Sequence, residues 1–149
     1  MGMYTALHFN SELSIKKNSM IADILKYMVG DTKEMPELLP DHELFKTESW
    51  RYMLQMDSYY FDEDTISTLR WDDNGDSYYL CIRCNLKNYD SEIEKFIDWI
   101  MLYLDEYKQE GDFLGFYRYE EDEDPTIIRF TPLIKGKEPT NYIEYQVRF

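Results

Sequence analysis

Cys81-Ile82-Arg83-Cys84 has the spacing of a redox or zinc motif. A redox pair needs a thiol at a helix N-terminus, and a zinc site needs a second pair of ligands. Neither accompanies these four residues. They lie in a run whose apolar residues alternate, and in a strand side chains three apart face opposite sides. The expectation is two separately packed, reduced thiols. His8 and His42 are the only imidazoles, far apart in sequence and outside any catalytic constellation. No G-x-S-x-G, P-loop or H-E-x-x-H occurs. Asp72, Asn74 and Asp76 alternate as calcium-loop ligands do. Gly75 is at the wrong position, however, and Arg83 stands at the twelfth position, where a glutamate belongs. Asn74-Gly75 reads instead as a two-residue hairpin signal. These motifs predict no cofactor, no metal and no catalytic residue; carboxylate pairs keep a metal-dependent hydrolase as an alternative.

The remaining chemistry is carboxylate. Glu120-Glu121-Asp122-Glu123-Asp124 is a run of five acids between two strand-like segments, more charge than a tight turn needs. The net charge is -14, and residues 57–124 carry a sum equal to all of it. Residues 1–56 have net charge -2 and residues 125–149 net charge +2. Such a field repels nucleic acid and anionic membranes and attracts basic partners. Arg70, Arg83, Arg118 and Arg129 fall on neighbouring strands beside Tyr and Phe, but the surrounding charge argues against a nucleic-acid stacking platform.

These acids need elements to position them. Met3 to Phe9 reads as a strand, and Asn18 or Ser19 can cap a helix over Met20 to Val29, which Gly30 stops. Asp31 to Thr47, with Pro36 and Pro40, reads as a long irregular connection. A three-strand meander follows over Arg51–Phe61, Thr65–Asp72 and Ser77–Leu86. In the last, Tyr78, Leu80, Ile82, Cys84 and Leu86 share one face. A second helix is predicted from Ser91 to about Lys108, with Ser91 and Glu94 as a capping box. Strands over Phe113–Tyr119 and Thr126–Phe130 complete a β-α-β-β-β-α-β-β order. It predicts an α+β fold: a mostly antiparallel sheet, two helices on one face, and an open, polar, Tyr-rich opposite face. The organisation is one domain over residues 3–130 with a C-terminal extension over 131–149. No 18-residue apolar window and no signal peptide are present, so a cytoplasmic location is expected.

Following the strand directions, Asp62, Glu63 and Asp64, the start of the second helix (Asp90, Glu92, Glu94) and Glu120 to Asp124 gather at one end. Asp72, Asp73 and Asp76 lie at the other. Carboxylates on alternating strand positions stand about 6–7 Å apart, on the scale of successive phosphates of one DNA strand. The candidate partner-binding residues are therefore Asp62, Glu63, Asp64, Asp72, Asp73, Asp76, Glu120, Glu121, Asp122, Glu123 and Asp124. Tyr59, Tyr60, Tyr79, Tyr117 and Tyr119 are candidates for contact area.

Gly111 to Phe130 (GDFLGFYRYEEDEDPTIIRF) and Ser77 to Ile100 (SYYLCIRCNLKNYDSEIEKFIDWI) resemble small acidic uncharacterised proteins carried on mobile elements of Gram-positive bacteria. In size and charge the chain is also similar to phage- and plasmid-encoded inhibitors, among them anti-CRISPR and antirestriction proteins, several of which imitate DNA. The resemblance implies a non-enzymatic protein that blocks a nucleic-acid-handling defence complex by covering a basic surface. It carries over no functional residue. An immunity protein that neutralises a basic nuclease toxin is the alternative.

Overall fold

A computed structural model of the chain describes residues 3–58, 61, 64–104, 107–131 and, for the backbone, 143–145. Six strands form one antiparallel sheet: β1 (Thr5–Leu13), β2 (Thr68–Asp72), β3 (Ser77–Leu86), β4 (Phe113–Tyr119), β5 (Thr126–Arg129) and β6 (Ile143–Tyr145), in the spatial order β2-β3-β1-β4-β5-β6. β1 is central because both of its edges are used. It pairs with β3 from Thr5↔Leu86 to Leu13↔Tyr78, and with β4 from Thr5↔Tyr119 to Phe9↔Gly115. A Cβ on Gly115 would stand 1.9 Å from the His8 carbonyl oxygen, so only glycine lets β4 lie this close to β1. β6, within the predicted extension, adds to the outer edge of β5.

The period-2 pattern sorts the sheet into two faces. Leu7, Phe9 and Leu13 of β1 and Tyr78, Leu80, Ile82, Cys84 and Leu86 of β3 enter one core. Both helices cover that face. α1 (Met20–Val29) contributes Ile24, Leu25 and Met28, and α2 (Glu92–Ile100) contributes Ile93, Phe96, Ile97 and Ile100. α1 ends where the sequence indicates: the Ser19 side chain accepts the Ala22 N–H, and Gly30 turns left-handed at φ 90°. The α+β fold with two helices on one face is as expected.

Four local features differ. The described residues of Arg51–Phe61 form no strand: Ser49–Arg51 and Met53–Gln55 form 3-10 turns that bury Trp50, Met53 and Leu54. Their three- and four-residue spacing fits a turn of helix better than alternation. The Met56 and Ile66 carbonyls still accept the Asn85 and Arg83 N–H groups, so the ends of the intervening segment flank β3. α2 stops at Ile100 and tightens into a 3-10 turn over Met101–Tyr103, because Leu104 bridges to Leu13 and the Tyr103 carbonyl accepts the Ser14 N–H. The capping box does not form. Ser91 is left-handed (φ 56°), outside the extended conformation an N-cap serine needs, and Asn88 Oδ1 takes the Ile93 N–H instead (2.8 Å). The Asn74-Gly75 hairpin has a four-residue loop between paired Asp72 and Ser77, and Asp76, not Gly75, adopts positive φ (48°).

Candidate protein-interaction site

The strand register defines two ends. Leu86, Thr5 and Tyr119 lie in one row, and past that row come the 87–91 connection, the start of α2 and the acidic turn. The turn is held through its backbone. Glu120 N–H donates to the Tyr4 carbonyl (3.0 Å), Asp122 N–H to the Tyr119 carbonyl (2.9 Å), and Arg118 Nη1 to the Asp122 carbonyl (2.8 Å). Glu121, Asp122 and Glu123 are exposed, while Glu120 and Asp124 are half-buried. The turn therefore presents charge from a fixed backbone.

The helix start shares this end but spends its acids internally. Buried Glu92 accepts from the Asp90 N–H (2.8 Å) and from the Ser49 hydroxyl. Glu94 accepts from the Asn88 amide with both oxygens (2.8 and 3.1 Å). Only Asp90 of the three is exposed. Asp62 and Glu63 lie outside the described residues. Asp64 is exposed, and the Phe61 ring lies 5.2 Å from the Arg118 guanidinium, so Phe61 adjoins β4.

Tyr117 and Tyr119 sit on the helix-side face, not on the opposite one. Of the tyrosines in β3 and β4, only Tyr79 lies on that opposite face, which corrects the expectation of a Tyr-rich surface. There, Tyr79 accompanies Arg70, Arg83, Arg118, and His8 stacked on Phe116 at 4.7 Å. Tyr59 and Tyr60 lie outside the described residues. Tyr117 and Tyr119 instead line a cavity of about 220 Å³ together with Met3, Thr5, Asn88 and Tyr89. The Tyr119 hydroxyl donates to Met3 Sδ (2.7 Å). Its phenol is held above the ordinary tyrosine value by desolvation, then by the negative charges of Glu121 and Glu120, with Tyr89 and Asp122 adding to them. Tyr89 is missing from the sequence-derived site. Its position just before the α2 start, at the end where the acids gather, was the available signal.

Asp72, Asp73 and Asp76 are at the opposite end. Asp72 Oδ1 accepts the Asn74 N–H (3.1 Å) and Asp73 Oδ1 accepts the Trp71 indole N–H (2.7 Å), which makes the loop an Asx turn braced by a side chain. Among the described residues, no group of three His, Cys, Asp or Glu is arranged to hold a metal ion. Cys84 is buried and its thiol is pushed far up by burial, while Cys81 on the other face is half-buried. His42 Nδ1 accepts the Leu44 N–H (3.0 Å), which leaves Nε2 to donate to Asp98 Oδ2 (2.9 Å). Both nitrogens are thereby used to fasten the 43–46 turn to α2. Among the described residues, no helix is long and apolar enough to cross a membrane. No family model matches the chain, and neither a curated protein nor a solved structure matches it.

Proposed function

We propose that the chain is a non-catalytic, cytoplasmic binding protein that inhibits a nucleic-acid-handling defence complex, of anti-CRISPR or antirestriction type, by occupying its basic surface. The observation that carries this reading is the 120–124 turn. It exposes Glu121, Asp122 and Glu123 from a backbone fixed by Tyr4, Tyr119 and Arg118. Fixed charges lose less entropy on docking than charges on a mobile loop. A Lys/Arg groove built for phosphates would meet exposed carboxylates of the same sign of charge. Association is then steered by charge and weakens steeply with salt.

The test is capture from a host lysate at low salt, with wild type and a Glu121→Lys, Asp122→Lys, Glu123→Lys bait, each with and without added duplex DNA. The reading expects a nucleic-acid-binding protein that appears only with wild type and is displaced by DNA. Recovery of the same proteins by both baits would overturn it. A nuclease toxin offers the same kind of groove, so the identity of the displaced protein separates inhibitor from immunity protein.

A further inference from the structure

The cavity beside the acidic turn has a composition that the turn alone does not require. Three tyrosines, from the 87–91 connection and from β4, converge on about 220 Å³ with Met3, Thr5 and Asn88. That volume is below the range of about 300 Å³ and upward typical of small-molecule sites, and suits one long side chain. Tyr89, at 67% exposure, stands at its outer edge. Glu120, Glu121 and Asp122 follow Tyr119 directly, on a turn tied back to the Tyr4 and Tyr119 carbonyls, so negative charge stands beside the cavity. The same end of the sheet already shows an ammonium on an aromatic ring: Lys87 Nζ lies 5.6 Å from the centre of the Tyr4 ring. An aromatic lining with an acidic rim favours a cation over a neutral or anionic group, because ring quadrupole and carboxylate field act in the same direction.

We propose that the Tyr89–Tyr117–Tyr119 cavity receives one cationic side chain, a guanidinium or ammonium, from the basic partner. It is the anchor of the interface, while the exposed carboxylates supply steering around it. This rests on the reading of the acidic turn as a docking surface and names the group that docks. Lys87 is the chain's own nearby cation; held on Tyr4, it leaves the tyrosine cavity to the partner.

The probes are N-acetyl-arginine amide and tetramethylammonium, titrated against protein with ¹³C-labelled tyrosine rings and followed by NMR, with sodium chloride at matched ionic strength as control. The expected result is saturable shifts of Tyr89, Tyr117 and Tyr119 with the organic cations and not with sodium. Tyr89→Ala, at an exposed position that spares the fold, should weaken probe binding about five-fold. Tyr119→Leu should weaken it at least as much, with the remaining ring signals unshifted as evidence of intact folding. Shifts that rise linearly without saturation, or that sodium reproduces, would overturn the cavity proposal. Cavity and turn fail separately. Loss of partner capture on reversal of residues 121–123 without cation binding leaves the turn and removes the anchor; saturable cation binding with capture unchanged by reversal does the opposite.

Discussion

The 72–77 hairpin and the 119–126 turn are both rich in aspartate and glutamate, and they differ in what the carboxylates do. In the hairpin, Asp72 and Asp73 accept hydrogen bonds from the loop and from the Trp71 indole, so the acids shape the turn that carries them. In the other turn the backbone is held by Glu120 and Asp122 N–H groups and by Arg118 on a carbonyl, while Glu121, Asp122 and Glu123 are exposed. Charge density alone does not distinguish acids whose side chains shape a turn from acids exposed on a turn that its backbone holds. The helix start makes the same point, since Glu92 and Glu94 share an end with the acidic turn yet are spent on Ser49, Asp90 and Asn88.

The comparison depends on the register that brings β4 against β1, so its largest perturbation is at Gly115. A Cβ there would meet the His8 backbone at 1.9 Å, and Gly115→Ala should cost about 3 kcal/mol or more in urea unfolding. Near-neutral behaviour would show that the strands can separate and that the acidic turn is not fixed as described. Next in size, Asp72→Ala and Asp73→Ala should each cost about 1 kcal/mol, because each removes a side-chain hydrogen bond that shapes or braces the loop. Glu121→Ala with Asp122→Ala should stay within about 0.5 kcal/mol, as for ordinary surface positions. Equal losses at the two turns would erase the distinction. The smallest effect is a titration. The Tyr119 phenol stays protonated to higher pH than free tyrosine, first through desolvation and then because Glu121 and Glu120, with Tyr89 and Asp122, oppose a further negative charge. Reversing Glu120 and Glu121 to lysine should lower its pKa, read from the Tyr119 ring carbon shift; an unchanged value would place those carboxylates out of reach.

Much of this arrangement was legible in the sequence where one signal dominated. Strict alternation identified β3 and its core face, Ser19 and Gly30 bracketed α1, and the strand directions put residues 120–124 beside the α2 start and residues 72–76 at the far end. Legibility failed where local signals were shared or overridden. Around residues 50–56 the chain is apolar enough for either periodicity, and burial of Trp50, Met53 and Leu54 decided for 3-10 turns. At Ser91 the capping-box pattern was present, but Asn88 took the helix N–H and Ser91 went left-handed. At α2, tertiary pairing of Leu104 with Leu13 ended a helix whose apolar stripe continued. The tyrosines were misplaced for a related reason. Their number suggested the uncovered face, whereas pairing to Leu7 and Thr5 puts Tyr117 and Tyr119 on the helix side.

The most direct test of the central claim compares two triple reversals in one binding assay across a salt series: Glu121→Lys, Asp122→Lys, Glu123→Lys against Asp72→Lys, Asp73→Lys, Asp76→Lys. The assay follows capture of the DNA-displaced partner. The account predicts that the first set weakens capture about 100-fold at low salt and flattens its salt dependence, while the second changes it by no more than about three-fold once both variants are shown to be folded. Equal losses from both sets, or a greater loss from the hairpin set, would contradict it and return the acidic turn to the status of a solvated surface.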